Sequence, residues 1–372
     1  MKVAIVHILP LEFYPPVTNL LNILALRTDL EVMAISSRNH KQRENYKHPG
    51  IQVHRITYPA YTKRAFWKMV ALAEIILRPL VWLIRFQPDV LLYYEPHSAY
   101  PVYLYKKYVR PSVRLFIHYH EYYTPDEFRV PNMKMVEFFH RKEERFLYQQ
   151  AEWISQTNPF RLDFFSKDYP FIPKSKLHLL PNYPPESWKE SRLQSFAGGR
   201  VKLLYLGALS FENTYIREMV DFVKRNSDKL SIDIYSYKLS DDVAAYLSHL
   251  HSENIHFYEQ GVEYEKIPEI AGKYDVGLIL YKPHNPNYQY NAPNKVFEYL
   301  VCGLDVWFPK EMIGTYPYIT EGTYPKVVKT DFERLDGLNV EEMISHEGLT
   351  LKSSEYFAEK VYGEFIDQSI IP

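Results

Sequence analysis

The sequence has one cysteine, Cys302, so it can close no internal disulfide and build no cysteine metal cluster. That suits a reducing cytoplasm, with Cys302 read as a small buried hydrophobe. An excess of either charge is also lacking: 44 Lys and Arg stand against 45 Asp and Glu, a net charge of -1. No general field attracts nucleic acid, so none is expected as a partner and any anion site must be local. The longest apolar stretch, Phe66 to Phe86, is interrupted by Lys68, Glu74, Arg78, Pro79 and Arg85. It falls short of the roughly 18 uncharged apolar residues of a spanning helix. Met1-Lys2 leads directly into the apolar run Val3 to Ile8 without the pattern of a signal peptide, so a cytoplasmic location is expected. There is no internal repeat and no low-complexity block, which argues against a solenoid.

What is present describes an ordinary folded chain, 46% hydrophobic and 24% charged. Its 372 residues exceed the ~250–300 at which one core stops growing, so two domains are expected. Short runs rich in β-branched residues alternate with longer helical patterns, the signature of βαβ units and parallel sheets. First-half strands are expected at Val3–Ile8, Glu31–Ile35, Val90–Tyr94, Leu115–Tyr119 and Trp153–Ser155, with helices at Asn19–Leu26, Trp67–Ile84, Ala99–Tyr108 and Met135–Gln150. A second strand series is expected at Val201–Leu206, Leu230–Tyr235, Ile255–Tyr258 and Val276–Tyr281. The turn-rich segment from Pro181-Asn182-Tyr183-Pro184-Pro185 to Gly198-Gly199 reads as the linker. The expected domains are therefore 1–182 and 198–352. An amphipathic closing helix in 353–372, carrying Tyr356, Phe357, Val361, Tyr362 and Phe365, completes the first.

Ligands bind beyond the carboxyl ends of strands in open parallel sheets, which directs attention to the residues there. Glu95 and His97 follow one expected strand, His120-Glu121 another, and Gln156-Thr157-Asn158 a third. In the second half Gly207 ends a strand, and a polar loop from Lys282 to Asn294 follows another. His118 and His120 are expected on opposite faces of their strand, and no HExxH spacing occurs, so no metal site is expected.

The segment from Tyr290 to Gly303 has its own physical logic. Asn294 is expected to cap a helix that carries Lys295 and Glu298 and ends at a left-handed Gly303. A helix start exposes N–H groups and the positive end of the dipole, a natural cradle for phosphate. Glu298, one turn along, is suited to accept two hydrogen bonds from the vicinal hydroxyls of a ribose. The residues alone equally describe a capped helix in which Glu298 only supports the first turn.

Residues Tyr290 to Val306 resemble the donor-site signature of the retaining glycosyltransferases of family 4, which have the GT-B fold of two Rossmann-like domains. Asp89–Tyr94, Tyr119-His120-Glu121-Tyr122, Leu203–Leu209 and Asp275–Tyr281 resemble further blocks of that family, so the likeness spans roughly residues 1 to 310. The resemblance implies an α/β enzyme with a nucleotide-sugar donor domain at 198–352, an acceptor domain at 1–182 and a cleft where the two sheets face each other. It implies transfer of a hexose from a nucleotide diphosphosugar to a glycan or lipid-linked acceptor, without a metal or other cofactor, in surface polysaccharide or glycoconjugate synthesis. Glu298 would hold the ribose, with Asn294, Lys295 and Gly207 at the diphosphate. His120 would hydrogen-bond the donor sugar, Glu121 would orient it, and Glu95 and His97 would stand on the acceptor side. Three features depart from the pattern, one being that Tyr235-Ser236-Tyr237-Lys238 stands where a Gly-rich turn is expected after the second strand of the second half. Tyr290 stands where many members carry a first glutamate, and no Arg or Lys follows Gly207, leaving Lys238, Lys282 or Lys295 to supply the charge. An epimerase of the same fold and a catalytically silent nucleotide-sugar-binding subunit are the competing readings. The basic, tryptophan-bearing segment 63–86 reads either as a helix lying on a membrane surface or as an internal helix with snorkelling cations.

Overall fold

In a strand, successive side chains point to opposite faces, and a parallel sheet buries both. The N-terminal strands obey this rule: Val3 and Ile5 join one core, Ala4 and Val6 another. The computed structural model describes residues 1–38, 44–57, 65–191, 200–236, 238–250 and 252–371. The expected Gly198-Gly199 end of the linker, together with Lys63 and Arg64, lies outside them.

The chain divides into two compact units, Met1–Asn182 with Ala358–Pro372, and Tyr183–Phe357. The first holds seven strands, β1 (Lys2–Val6), β2 (Glu31–Ser37), β3 (Ile51–Ile56), β4 (Val90–Tyr94), β5 (Arg114–Tyr119), β6 (Trp153–Gln156) and β7 (Leu177–Leu179). They form one sheet in the order β3-β2-β1-β4-β5-β6-β7. Every neighbouring pair is parallel. Strand order reverses between β1 and β4, which makes that edge the switch point where such sheets bind ligands. The helix Ala65–Phe86 packs under one face through Ile75, Leu83 and Phe86. The opposite face is covered by the helix Pro15–Ala25 and by the closing helix Ala358–Phe365, whose Tyr362 and Phe365 share a core with Val3, Leu20 and Phe116. That last helix begins at Ala358, not at 353. Arg114 fastens the end of the chain through the carbonyls of Ser369 and Ile370.

The second unit contains β8 (Val201–Leu206), β9 (Leu230–Tyr235), β10 (Ile255–Tyr258), β11 (Val276–Leu278), β12 (Asp305–Pro309), β13 (Thr323–Tyr324), β14 (Val327–Thr330) and β15 (Thr350–Leu351). Six of them make a sheet in the order β10-β9-β8-β11-β12-β14, while β13 and β15 pair separately. Its switch point lies between β8 and β11. The pattern of residues did not single out β3, β7, β12 or β14, and β11 ends at Leu278 rather than running to Tyr281.

One contact sets where the helix Asn294–Val301 lies on this sheet. Gly277 of β11 has no side chain, and the Tyr299 ring occupies the space: a Cβ there would stand 2.2 Å from its carbons. The Tyr299 hydroxyl accepts the backbone N–H of Leu206 at 3.1 Å, one residue beyond the point where β11 stops pairing with β8. We predict that Gly277→Ala destabilises the protein by about 1–3 kcal/mol through forced overpacking. An unchanged urea midpoint would show that the ring is free to shift.

Candidate functional site

The helix Asn294–Val301 is built as its sequence suggests at one end and differently at the other. Gly303 adopts φ 79. Its N–H bonds the carbonyl of Leu300 and that of Leu304 the carbonyl of Tyr299, the paired bonds of a Schellman end. At the start, however, Asn294 is not the cap. Pro293 holds that place with an extended backbone, φ -67 and ψ 148, and Asn294 is the first helical residue with no side-chain capping bond. Proline's fixed φ already leads the chain into the helix, so the asparagine side chain is not needed there.

Glu298 follows one turn on and is 2% exposed. Its Oε2 is bound by the Lys295 ammonium across an i,i+3 turn. In this state the carboxylate is spent on Lys295 and is not open to a diol. A cation at the amino end of a helix opposes the dipole, so the pair is held by its Coulomb attraction against the field of the helix. Tyr290, half-buried, ends the short helix Pro286–Gln289, and its backbone is pinned because a Cβ on Gly314 would stand 2.3 Å from the Tyr290 carbonyl.

Gly207 and the loops around it converge on the switch point of the second sheet. The N–H of Leu209 bonds the carbonyl of Lys238 at 2.9 Å, and that of Lys282 bonds Asn213 at 2.9 Å. The three lysines offered as substitutes for the missing cation have different fates. Lys295 is paired with Glu298, and Lys282 reaches the Phe211 carbonyl at 2.9 Å and Glu218 at 3.4 Å. Lys238 is exposed, beside Gly207.

The first unit gathers its polar residues at its own switch point. Strand β1 stops at Val6, so His7 lies beyond it; the sequence pattern, which ran the strand to Ile8, concealed this. The N–H of Ile8 turns to the Ser98 hydroxyl at 3.1 Å, tying the end of β1 to the loop after β4. In register, Tyr94 pairs with His118 and His118 with Ser155. His118 and His120 are two residues apart, hence on the same side of the strand, not on opposite faces: their rings lie 4.9 Å apart. Tyr94 stacks on His120 at 5.0 Å, and Tyr14 stands 4.3 Å from His7 and 5.9 Å from His120.

Glu95 and His97 are not solvated turn residues. Glu95 is buried, and its backbone is strained, with φ 61 in a non-glycine residue. Its Oε1 accepts the N–H of His120 at 2.6 Å and that of Glu121 at 3.3 Å, which clamps the end of β5 to the end of β4. Burial, reinforced by the Glu121 charge, raises the Glu95 carboxyl to about 8. Burial depresses the imidazoles instead, His118 to about 3 and His97 to about 4, and holds His7 and His120 well below the ordinary value. Glu121 does not orient His120: its carboxylate takes Arg161 at 3.2 Å, and among the described residues neither ring nitrogen of His120 has a well-formed hydrogen bond. Asn182 approaches both His118 and His120 without completing a well-formed bond to His120.

The predicted residues thus fall into two sets. His120, Glu121, Glu95 and His97 come together in the first unit, and Gly207, Lys238, Tyr290, Asn294, Lys295 and Glu298 belong to the second. Sequence reasoning missed His7, Tyr14, Arg161 and Asn182. Only His7 carried a usable signal, as a polar residue at the end of an apolar run. Among the described residues, no group of three or more His, Cys, Asp or Glu side chains is placed to hold a metal ion. No described helix is long and apolar enough to cross a membrane, though Leu77, Val81 and Ile84 form an exposed apolar stripe on the helix Ala65–Phe86.

No family model and no curated protein sequence matches this chain. Solved structures do. The chain is similar, at 14% identity over 99% of each chain and with a TM-score of 0.62, to the apo form of the lipopolysaccharide outer core galactosyltransferase WaaB. A putative UDP-N-acetylglucosamine 2-epimerase from Listeria monocytogenes matches at 12% identity and a TM-score of 0.64, covering 98% of this chain and 94% of that one. The UDP-GlcNAc 2-epimerase from Neisseria meningitidis bound to UDP-GlcNAc matches at 14% and 0.60 over the whole of both. At such identities the likeness establishes the fold: α/β, with two Rossmann-like units, of the GT-B type.

The raised Glu95 carboxyl has a consequence for stability. Above its unfolded value of 4.5 and below about 8, the folded chain retains a proton that the unfolded chain has released. Stability contributed by this group is therefore present at acid pH and lost as pH rises through about 8. Glu95→Gln, which keeps an oxygen for the two N–H groups, is expected to melt with a smaller drop in Tm between pH 6 and pH 9 than the parent. Identical drops would show that Glu95 ionises normally.

Proposed function

We propose that this protein is a glycosyltransferase that moves a hexose from a nucleotide diphosphosugar to a glycan or lipid-linked acceptor with retention of anomeric configuration. The reading assigns the donor to the second unit and the acceptor to the first. The observation that supports it is the helix Asn294–Val301, started by a proline and seated by Tyr299 on Gly277, with Glu298 one turn from its amino end. The GT-B type fold is in keeping with it.

Retaining transfer passes through an oxocarbenium-like state, so the site must stabilise a departing diphosphate and hold the acceptor hydroxyl. In this reading the N–H groups of Asn294 and Lys295, the close backbone at Gly207 and the exposed Lys238 face the diphosphate. Lys295 leaves Glu298 for the phosphate, which removes a cation from the wrong end of the helix dipole and frees the carboxylate for the ribose hydroxyls. Tyr290 contributes a hydrogen bond in place of a charge. His120, kept neutral by burial, offers a nitrogen to a donor-sugar hydroxyl, with its loop fixed by Glu95. The exposed stripe Leu77, Val81 and Ile84, flanked by Arg78 and Arg85, is assigned to an anionic membrane surface that carries a lipid-linked acceptor.

An epimerase acting on the nucleotide sugar is the second reading, favoured by the solved epimerases of this fold. Incubation with UDP-GlcNAc alone separates the two, because an epimerase needs no acceptor. For the donor site, Glu298→Ala is expected to weaken nucleoside diphosphate binding by roughly 1.5–3 kcal/mol, measured by calorimetry with UDP, ADP and GDP. Unchanged affinity would remove Glu298 from the site, and no binding of any of the three would remove the assignment altogether. His120→Ala is expected to lower turnover more than nucleotide affinity; equal turnover would take His120 out of the reaction. For the membrane assignment, co-sedimentation with vesicles rich in phosphatidylglycerol should fall when Leu77 and Val81 are both changed to Ser, and unaltered sedimentation would refute it.

A further inference from the structure

Strands β2 and β3 end side by side at the carboxyl edge of the first sheet, where Ser36 pairs with Arg55 and Ser37 with Ile56. The outermost strand there is β3. Beside these ends lies an open cavity of about 400 Å³, lined by Arg38, Asn45, Tyr46, Lys47, Val53 and Arg55. Its volume falls within the roughly 300–1,000 Å³ of small-molecule sites. In the strand order β3-β2-β1-β4-β5 it is removed from the end of β5, and so from His120, by about four strand spacings, roughly 19 Å at ~4.8 Å each. The cavity is therefore a separate place from the histidine cluster.

Its wall is fixed and its charge is one-sided. The Arg55 side chain, 15% exposed, pairs at 2.6 Å with Glu12, 4% exposed, and also reaches the Ser37 carbonyl at 3.1 Å. Glu12 accepts the N–H of Tyr46 at 2.7 Å, and the Tyr46 hydroxyl bonds Asn22 of the helix Pro15–Ala25 at 2.7 Å. Lys47 follows directly on this anchored residue. Arg38 is anchored too, its N–H bonding the carbonyl of Ile56 at 2.8 Å. With Arg55 matched by Glu12, Arg38 and Lys47 remain. Both are exposed, and among the described residues neither side chain has an ion pair or a hydrogen bond. No Asp or Glu lines the cavity. Two unmatched cations on pinned backbones repel each other until an anion stands between them. An Arg fork holds two phosphate oxygens at once, a Lys ammonium adds a point charge, and the exposed Asn45 amide is a further donor. The turn after β1, His7-Ile8-Leu9-Pro10, has no glycine to admit the pyrophosphate of a dinucleotide, which leaves a lone phosphate group as the matching anion.

We propose that Arg38 and Lys47, lining one cavity above the Arg55–Glu12 pair, bind a phosphate group, and that the acceptor is therefore phosphorylated at a point remote from the hydroxyl that reacts. This rests on assigning the acceptor to the first unit, and it extends that reading by naming the chemical class. The phosphate anchors the acceptor several strands away from His120, so its binding energy is available to hold the reacting end in place.

Calorimetry on the full chain at low salt tests it, with glucose 1-phosphate, glucose 6-phosphate and glycerol 3-phosphate set beside methyl glucoside, all in excess UDP to fill the second unit. At least one ester should bind at millimolar concentration, about tenfold or more tighter than methyl glucoside, and should weaken as salt is added. Arg38→Gln combined with Lys47→Gln should weaken that ester by about tenfold or more, through the loss of charge-assisted bonds. Lys134→Gln with Arg145→Gln, an equal loss of exposed charge elsewhere on the first unit, should leave it unchanged. Phosphatidylcholine vesicles carrying farnesyl phosphate separate the sources of the phosphate. Co-sedimentation lost in the Arg38/Lys47 variant, with no binding of the soluble esters, supports a lipid-linked acceptor, whereas ester binding supports a soluble one. The proposal is overturned when neither the esters nor these vesicles respond to the Arg38/Lys47 change, or when the Lys134/Arg145 control loses as much. An equal loss on phosphatidylglycerol vesicles without farnesyl phosphate overturns it too, because the two cations then read the membrane and not the acceptor. UDP titrated by itself reports the second unit independently. UDP binding without a response of esters or vesicles sinks this inference alone, whereas a response that depends on Arg38 and Lys47 without UDP binding sinks the donor assignment.

Discussion

The seat of Tyr299 on Gly277 is the contact on which the second unit's chemistry depends. A glycine in the middle of a strand weakens the strand, because it has no side chain to pack and more conformational freedom to lose. Here the gap admits an aromatic ring, and the ring's hydroxyl satisfies a backbone N–H that β11 is too short to reach. The helix is thereby fixed in height and rotation, and with it the position of Glu298. The same helix then ends at a glycine in a left-handed conformation, which releases the chain directly into β12.

The first unit shows how a sheet edge becomes chemically selective through burial. Strands that end side by side bring His7, Tyr94, His118 and Ser155 into adjacent positions, and the strained turn at Glu95 sends a carboxyl back across two N–H groups. Burying ionisable groups shifts each toward its neutral form, imidazoles downward and carboxyls upward. Several titratable side chains therefore make an uncharged polar surface. Histidine is present here as a hydrogen-bonding ring more than as a base, which limits the roles it can take in moving a proton.

Much of this was legible in the residues. Strands β4, β8, β9 and β10 have the bounds that their residue patterns suggest: β4 is a continuously apolar, fully buried run, whereas β9, Leu-Ser-Ile-Asp-Ile-Tyr, shows its place by alternating buried apolar residues with half-buried ones. The shorter or more polar strands β3 and β7 carry no such run: β3 reads Ile-Gln-Val-His-Arg-Ile and β7 only Leu-His-Leu. Asn294 was misread as a cap because local propensity favours asparagine there, yet the preceding proline already supplies the extended backbone. His118 and His120 were misassigned to opposite faces, although a period of two puts alternate residues together. Glu121 was matched to His120 by adjacency, when its partner, Arg161, is brought in from forty residues away by the helix after β6.

The sequence by itself determined the class of fold, two parallel sheets flanked by helices, and the presence of a helix with Asn294, Lys295 and Glu298 in its first turns. These follow from local periodicity and from the steric demands of proline and glycine, which act over a few residues. Only the tertiary structure decided that Glu298 is closed by Lys295, that Lys282 is neutralised by Glu218, and that His7, His120 and Asn182 share one buried corner. Those outcomes depend on burial and on partners far apart in the chain, and the free energy of a charge or a hydrogen bond is set by that surrounding and not by the identity of the side chain.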